Sequence, residues 1–136
     1  MRYIGLDLGE KTLGISISSG IIANNYKTLR HNEEYDRLIL EVFSIIQEEK
    51  IDKIILGYPK NMDNSIGKRA EITLDFKRKL EEKTGLEVIL EDERLTSKLA
   101  NNFMIKEDLS RKKRKERVDG MASVIILQSY LDRKVN

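Results

Sequence analysis

Carboxylates are the groups of this chain that best suit catalysis, because cysteine is absent and His31 is the single histidine. These counts exclude a thiolate metal site, a cysteine nucleophile and multi-histidine zinc motifs, and they disfavour a histidine-based triad. Catalysis would therefore depend on carboxylates, hydroxyls or a bound cation. Oxygen ligands without histidine or cysteine suit a hard cation such as Mg²⁺ or Mn²⁺.

Asp7 is the first candidate, since it lies in an apolar segment, residues 2–8 (RYIGLDL), whose alternation predicts a strand. A buried carboxylate without a partner is costly, so it must be capped, paired with a basic side chain or bound to a cation. An aspartate that accepts backbone N–H groups of the following turn would satisfy the same pattern. Asp7 alone leaves both interpretations open.

The second candidate is a run of three acids, Glu91, Asp92 and Glu93, at the end of the predicted strand LEVILE (86–91). Ligands bind at the carboxyl ends of parallel strands in helix-covered sheets. Neighbouring strand residues point to opposite faces, so the three acids cannot all face one ligand. The alternative is a solvated acidic strand end that Arg94 neutralises.

The third candidate is Asp119, near the start of the last predicted helix, where the helix dipole alone would also favour an acid. Asp7, the strand-end acids and Asp119 could converge above one edge of a sheet. Such a group would hold two Mg²⁺ or Mn²⁺ ions about 3.5–4 Å apart, which activate water and stabilise the leaving oxygen of a phosphodiester.

A basic segment precedes Asp119 directly. Residues 111–117 (RKKRKER) carry a charge of +5, whereas the other 129 residues together carry −3, so the net charge of +2 is a cancellation. This density predicts a loop that binds a phosphate backbone, although a solvated charged surface is the alternative. Its basic residues are Arg111, Lys112, Lys113, Arg114, Lys115 and Arg117, and further candidate contacts are Lys60, Lys68, Arg69 and Arg94.

Periodicity predicts the elements that position these residues within one domain, residues 1–136. A hairpin followed by alternating helices and strands indicates a mixed sheet covered by helices. The predicted elements are strands at 2–8, 13–19 and within 21–29, a helix capped by Asn32, a strand at 53–57 stopped by Pro59, a helix at 66–84 ended by Gly85, a strand at 86–91, a short helix from Thr96 or Ser97 through Met104, the basic loop, and a helix at 118–133.

Four segments of the chain together resemble the YqgF/RuvX-like family: DLGEKTLGISIS, LGYPKNMDNSIGKRA, DERLTS and DLSRKKRKERVDGMASVIILQSYLD. The resemblance runs in register from Tyr3 to Arg133. Members of this family are described as pre-16S rRNA nucleases or as Holliday-junction resolvases with an RNase H-like fold. It implies an α/β fold with a five-stranded mixed sheet, its first three strands antiparallel, and helices on both faces.

The resemblance also implies which acids bind metal and catalyse. The family's acids fall on Asp7, Glu93 and Asp119, and Glu93 is preferred over its two acidic neighbours. Glu116, one helical turn before Asp119, is a candidate fourth metal ligand.

Two positions depart from the family pattern, and neither is one of these acids. Ser18-Ser19 stands where the family often has a Ser-Asp pair, and Tyr58 replaces a leucine.

The acids and the basic segment predict a Mg²⁺- or Mn²⁺-dependent nuclease, and the resemblance implies that it processes the 5′ end of pre-16S rRNA in ribosome biogenesis. One alternative is a Holliday-junction resolvase, which would require a symmetric dimer. Another is a non-catalytic RNA-binding factor in ribosome assembly. A phosphate-binding ATPase is disfavoured, because the chain lacks a second lobe. We expect a cytoplasmic monomer or homodimer that binds nucleic acid, without a signal peptide or membrane span.

Overall fold

The computed structural model describes residues 1–59, 67–92 and 111–135, and of residues 111–120 and 135 it describes the backbone only. The strands and helices, in chain order, are β1 (Tyr3–Leu8), β2 (Thr12–Ser19), β3 (Ile22–Arg30), α1 (Tyr35–Glu49), β4 (Lys53–Tyr58), α2 (Lys68–Thr84), β5 (Val88–Asp92) and α3 (Arg111–Val135).

The five strands form one mixed sheet in the order β3-β2-β1-β4-β5. β1 pairs antiparallel with β2, and β2 pairs antiparallel with β3. β4 and β5 then continue the sheet parallel to β1. This topology confirms the predicted five-stranded mixed sheet whose first three strands are antiparallel. β1, β4 and β5 all finish at the same end of the sheet, which we call the carboxyl edge.

Helices cover both faces of the sheet, as predicted. Alternation along β1 places Ile4 and Leu6 in a core that α1 and α2 complete with residues such as Val42 and Leu80. The opposite face carries a smaller core that α3 completes; its buried members are Tyr3, Ala23, Ile55, Ile126, Leu127 and Leu131. Successive residues of β1 therefore point to opposite faces of the sheet, so only every second side chain of β1 can contact α3.

The basic segment is not a loop, and this prediction was wrong. α3 begins at Arg111 rather than at residue 118, so residues 111–117 form its first two turns. Arginine and lysine are good helix formers, and neither glycine nor proline interrupts residues 111–119. The sequence pattern did not predict these two turns of helix, because a run of charged residues has no apolar periodicity.

The N-terminus of α1 also differs from the prediction, which placed Asn32 at the cap. The helix begins at Tyr35 after Glu34, and no side chain caps it. Glu33 has a positive φ of 63°, and its N–H donates to His31 Nδ1 at 3.1 Å. The chain therefore turns once more between Asn32 and the helix, which moves the cap two residues onward, from Asn32 to Glu34.

The remaining described boundaries agree closely with the sequence. β4 ends at Tyr58, directly before Pro59, and Gly85 ends α2 with a φ of 71° that favours glycine. β5 begins at Val88, two residues later than predicted. The short helix through Met104 lies outside the described residues. Across the described part of the chain, no helix is long and apolar enough to cross a membrane.

Candidate active site

Asp7 lies at the carboxyl edge, one residue before the end of β1, opposite Gly14 of β2. It is the one residue of β1 that is not fully buried. Its strand parity matches Tyr3 and Gly5, so it lies on the face that α3 covers. No hydrogen bond or ion pair joins its carboxylate to another residue in the described parts of the chain. The Gly9 N–H donates instead to the Thr12 carbonyl oxygen at 2.8 Å.

α3 crosses this face antiparallel to β1. At the start of the strand, the Tyr3 ring packs against Tyr130 at a tilt of 58°, with ring centroids 5.6 Å apart, and its hydroxyl accepts a hydrogen bond from Lys134 Nζ. Two residues later, a Cβ built at Gly5 would lie 2.8 Å from Leu127 Cβ and 3.0 Å from the Ser123 carbonyl oxygen. Moving toward the carboxyl edge along β1 therefore means moving toward the N-terminus of α3.

This antiparallel register indicates where Asp119 lies on α3. Asp119 precedes Ser123 by one helical turn, an axial step of about 6 Å. Asp7 follows Gly5 by two strand residues, a step of roughly 6.6 Å. The backbone at Asp119 is thus nearly level with Asp7. Glu116 belongs to the turn before it, and both residues lie in the part of α3 described by its backbone alone.

Glu93 and Arg94 lie outside the described residues, whereas Glu91 belongs to β5. It lies on the α3 face of β5, opposite Gly57, and is only 4% exposed. Arg133 Nη1 reaches its Oε1 at 2.5 Å, while Oε2 is buried without a hydrogen bond in the described structure. Burial raises the pKa of the Glu91 carboxyl, and the Arg133 guanidinium opposes that rise.

The Glu91–Arg133 pair revises one interpretation of the strand-end acids. Glu91 is buried and bound by Arg133 rather than solvated, and the predicted neutralisation by Arg94 involves a residue outside the described part of the chain. Sequence reasoning missed Arg133, because 42 residues separate it from Glu91 and no local spacing links them. Glu91 is therefore engaged with Arg133, and the preference for Glu93 as the metal ligand stays a prediction.

Arg69 is the described basic candidate nearest to Asp7. It lies in the first turn of α2 and is partly buried, and its Nη2 donates to the Leu8 carbonyl oxygen at 2.8 Å. Its guanidinium therefore lies at the carboxyl edge, immediately after Asp7 along the strand. Lys68 beside it is exposed, whereas Lys60 and Arg94 lie outside the described residues. The basic residues of α3 are placed by their backbone, all within the two turns before Asp119.

His31 joins the turn after β1 to the segment before α1. Its Nε2 lies 3.0 Å from the Gly9 carbonyl oxygen, and its Nδ1 accepts the Glu33 N–H. These contacts suit the neutral tautomer in which Nε2 carries the proton and donates to Gly9. The single histidine thus holds the loop that follows Asp7.

The Asp7 carboxylate offers oxygen ligands of the kind that a hard cation takes. It is partly exposed, and no basic side chain pairs with it in the described region. Among residues whose side chains are described, no cluster of three histidines or acids could hold a metal. Two members of the predicted trio, Glu93 and the side chain of Asp119, lie outside that set of residues.

Comparison with known proteins gives consistent similarities over nearly the whole chain. A family model described as "RuvX: Holliday junction resolvase" matches residues 1–133. A Geobacillus protein named "Putative pre-16S rRNA nuclease" is 47% identical, covering 98% of this chain and 99% of its own length. A Natranaerobius thermophilus protein of the same name is 40% identical, covering 100% of this chain and 97% of its own.

The fold also matches a solved structure. RuvC from Thermus thermophilus, in complex with a Holliday junction substrate, aligns with a TM-score of 0.60 and 10% identity, covering 100% of this chain and 96% of that one. At this identity the similarity concerns the fold alone, and it confirms the predicted RNase H-like architecture.

Proposed function

This chain belongs to the RuvX family and is a nuclease of that type, and we propose that it uses divalent cations to process the 5′ end of pre-16S rRNA. The observation that carries the proposal is Asp7, a partly exposed carboxylate at the carboxyl edge of β1, level with the Asp119 turn of α3. The name shared by the full-length relatives supports the RNA substrate.

In our proposal, two Mg²⁺ or Mn²⁺ ions bind at this site. Their ligands would be Asp7, Glu93 and Asp119, with Glu116 as a candidate fourth ligand. When bound, such ions supply positive charge that offsets the charge of the phosphate and promotes attack by water. Asp7 is central to this set because it lies on a strand between two others. A position fixed by backbone pairing on both sides holds its ligand rigidly.

The basic turns of α3 would bind the phosphate backbone. Because residues 111–135 form one helix, the basic segment and Asp119 belong to the same rigid element. Arg111 lies about 12 Å from Asp119 along the helix axis. A substrate bound by these turns would therefore be held at a fixed distance from the acids, whereas a loop would leave that distance variable.

Arg69 would make a second contact with the substrate from the other side of Asp7. One of its N–H groups is used by the Leu8 carbonyl. A guanidinium carries five donors, so several remain for a phosphate oxygen. Arg69 and the basic turns of α3 would thus bracket the carboxyl edge, with Asp7 between them.

Two other functions remain as outcomes of the test. A Holliday-junction resolvase is favoured by the description of the family model. That activity cuts two strands symmetrically, so it requires a twofold dimer. A non-catalytic RNA-binding factor in ribosome assembly would use the basic turns of α3 without cleavage.

The deciding experiment offers the purified full-length chain a pre-16S rRNA fragment with its 5′ extension and, separately, a four-way DNA junction. Each is incubated with Mn²⁺, with Mg²⁺, or with a chelator. We expect cation-dependent shortening of the RNA at its 5′ end. Asp7→Asn, prepared in parallel, controls for contaminating nucleases.

Each outcome separates the candidates. Cleavage of the junction alone, by a dimer detected in sedimentation, would replace the RNA proposal with the resolvase. Binding of RNA that weakens with salt but yields no product would support the assembly factor and contradict the proposed nuclease.

A further inference from the structure

Gly5 lets α3 touch the sheet backbone directly. A Cβ at this position would lie 2.4 Å from Ser16 Oγ as well as against Leu127 and the Ser123 carbonyl. Real Cβ atoms do not approach so closely, so any larger residue would push α3 away from β1. At Gly5, α3 therefore packs directly against the backbone of β1, because no side chain separates the two elements.

A buried hydrogen bond forms at the same point. Ser16 lies opposite Gly5 on β2, and its Oγ donates to the Ser123 carbonyl oxygen at 2.8 Å. Both serines are completely buried. Beside Ser16 the pairing of β2 with β3 shifts register, because Ile15 pairs with Lys27 and Ser16 with Asn25, which leaves Tyr26 of β3 as an extra residue.

This hydrogen bond is the described contact of its kind nearest to Asp119. Further along the helix, described hydrogen bonds join α3 to the sheet at Gln128, Arg133 and Lys134. They hold the C-terminal half of α3. Asp119 lies one turn before Ser123 in the same helix, so a contact that fixes Ser123 also fixes the backbone of the turn that carries Asp119.

We infer that Ser16 is a positioning residue for the nuclease. Ser16 donates its hydrogen bond to Ser123 at the point where α3 packs against Gly5. This bond fixes the position of α3 along β1 and its rotation about its own axis, and it thereby sets the distance between Asp7 and Asp119. The inference rests on the proposed function, because it assigns Ser16 a role only if those two acids act together. Ser16 itself touches neither acid in the described structure.

The test compares Ser16→Ala with Ser18→Ala. Ser18 is a matched control on the same strand, because it is also completely buried and its Oγ accepts one hydrogen bond, from the Tyr3 N–H at 2.9 Å. That bond joins β2 to β1 and does not reach α3. Both variants therefore remove one hydroxyl and one buried hydrogen bond, but only Ser16→Ala releases the helix.

The first readout is single-turnover RNA cleavage beside RNA binding. A misplacement of about 1 Å can lower a rate roughly 100-fold, so we expect Ser16→Ala to cleave about 10- to 100-fold more slowly. Its RNA affinity should stay unchanged, because the basic turns remain. Ser18→Ala should cleave at close to the wild-type rate. Equal losses in the two variants would overturn the inference.

The second readout does not depend on activity. Because the chain has no cysteine, single cysteines at Glu10 and Lys115 can carry spin labels that report the distance from the turn after β1 to the first half of α3. Pulsed EPR should show a shifted or broader distance distribution for Ser16→Ala and none for Ser18→Ala. An unchanged distribution in Ser16→Ala would contradict the inference.

These readouts also separate the positioning role from the proposed function. If the wild-type chain cleaves nothing, the proposed function fails, and the label distances still decide whether Ser16 positions α3. If the wild-type chain cleaves RNA but Ser16→Ala matches it in rate and distance, only the positioning role fails.

Discussion

Arg69 donates a hydrogen bond from Nη2 to the carbonyl oxygen of Leu8, at 2.8 Å, and so ties the first turn of α2 to the end of β1 beside Asp7. The bond is partly buried and its donor is charged. Bonds of this type contribute more than neutral ones, because the charge strengthens the attraction and the carbonyl has little access to water. Arg69 therefore has both a structural and a proposed substrate-binding role.

We expect Arg69→Ala to lower the free energy of unfolding by about 1–3 kcal/mol, since it leaves the Leu8 carbonyl without its charged donor. Urea denaturation measures this decrease. RNA cleavage should fall as well, because the variant removes a phosphate-binding cation from the carboxyl edge. The control is Lys68→Ala, its exposed neighbour, which should leave stability unchanged. Equal stability in the two variants would contradict the described hydrogen bond.

Salt dependence tests the basic turns of α3. For every phosphate that the helix no longer binds, the slope of log affinity against log salt should fall by about 0.7–0.9. Replacing Lys112, Lys113 and Lys115 by alanine should therefore reduce the slope by about 2–3 if all three lysines bind phosphates. Alanine preserves the helix, so circular dichroism should not change.

The control for that variant removes the same charge elsewhere. Lys27, Lys50 and Lys53 lie outside the proposed surface, so their triple alanine variant should keep the wild-type slope. If both variants change the slope equally, the affinity reflects net charge rather than the basic turns of α3.

Glu81 predicts an acid-dependent loss of stability. The Lys77 ammonium, 3.1 Å away, and in second place the Val88 N–H lower the pKa of the Glu81 carboxyl below its ordinary value of 4.5. A lowered pKa in the folded state means that the carboxylate stabilises the fold above that ordinary value. The contribution disappears as the pH falls through the lowered pKa, because both states are then protonated.

Glu81→Gln should therefore destabilise the protein at neutral pH and lose that difference in acid. Chemical denaturation of both proteins between about pH 7 and about pH 3 measures it. In a Lys77→Met background, the pH-dependent difference in stability between the proteins with and without Glu81→Gln should be smaller, because the Lys77 ammonium is the main cause of the lowered Glu81 pKa. A difference that stays constant across the pH range would contradict the described ion pair.

Much of the fold was predictable because it depends on local patterns. Alternation in residues 2–8 predicts β1 and already places Asp7 and Gly5 on one face. Gly85 and Pro59 mark the ends of α2 and β4, since glycine tolerates the positive φ that ends a helix and proline has no N–H to donate to a strand. Charge misled the prediction at residues 111–117, where helix propensity alone decides the structure.

The contacts that shape the site were not predictable from spacing. Ser16 bonds to Ser123 across 107 residues, and Glu91 to Arg133 across 42. Such pairs form only when α3 packs on the sheet, so no local sequence pattern predicts them. Asp7 was recognisable early because an acid in an apolar strand conflicts with its surroundings, and such conflicts favour functional sites.

The most direct test of the central claim is the effect of Asp7→Asn on RNA cleavage and on RNA binding, measured on one preparation in Mn²⁺. Asp52→Asn is the matched control, because Asp52 lies just before β4 at the opposite end of the sheet, where its carboxylate accepts the Arg2 N–H. We predict that Asp7→Asn abolishes cleavage and retains RNA affinity and fold, while Asp52→Asn cleaves like the wild type. Undiminished cleavage by Asp7→Asn would contradict the proposed role of Asp7.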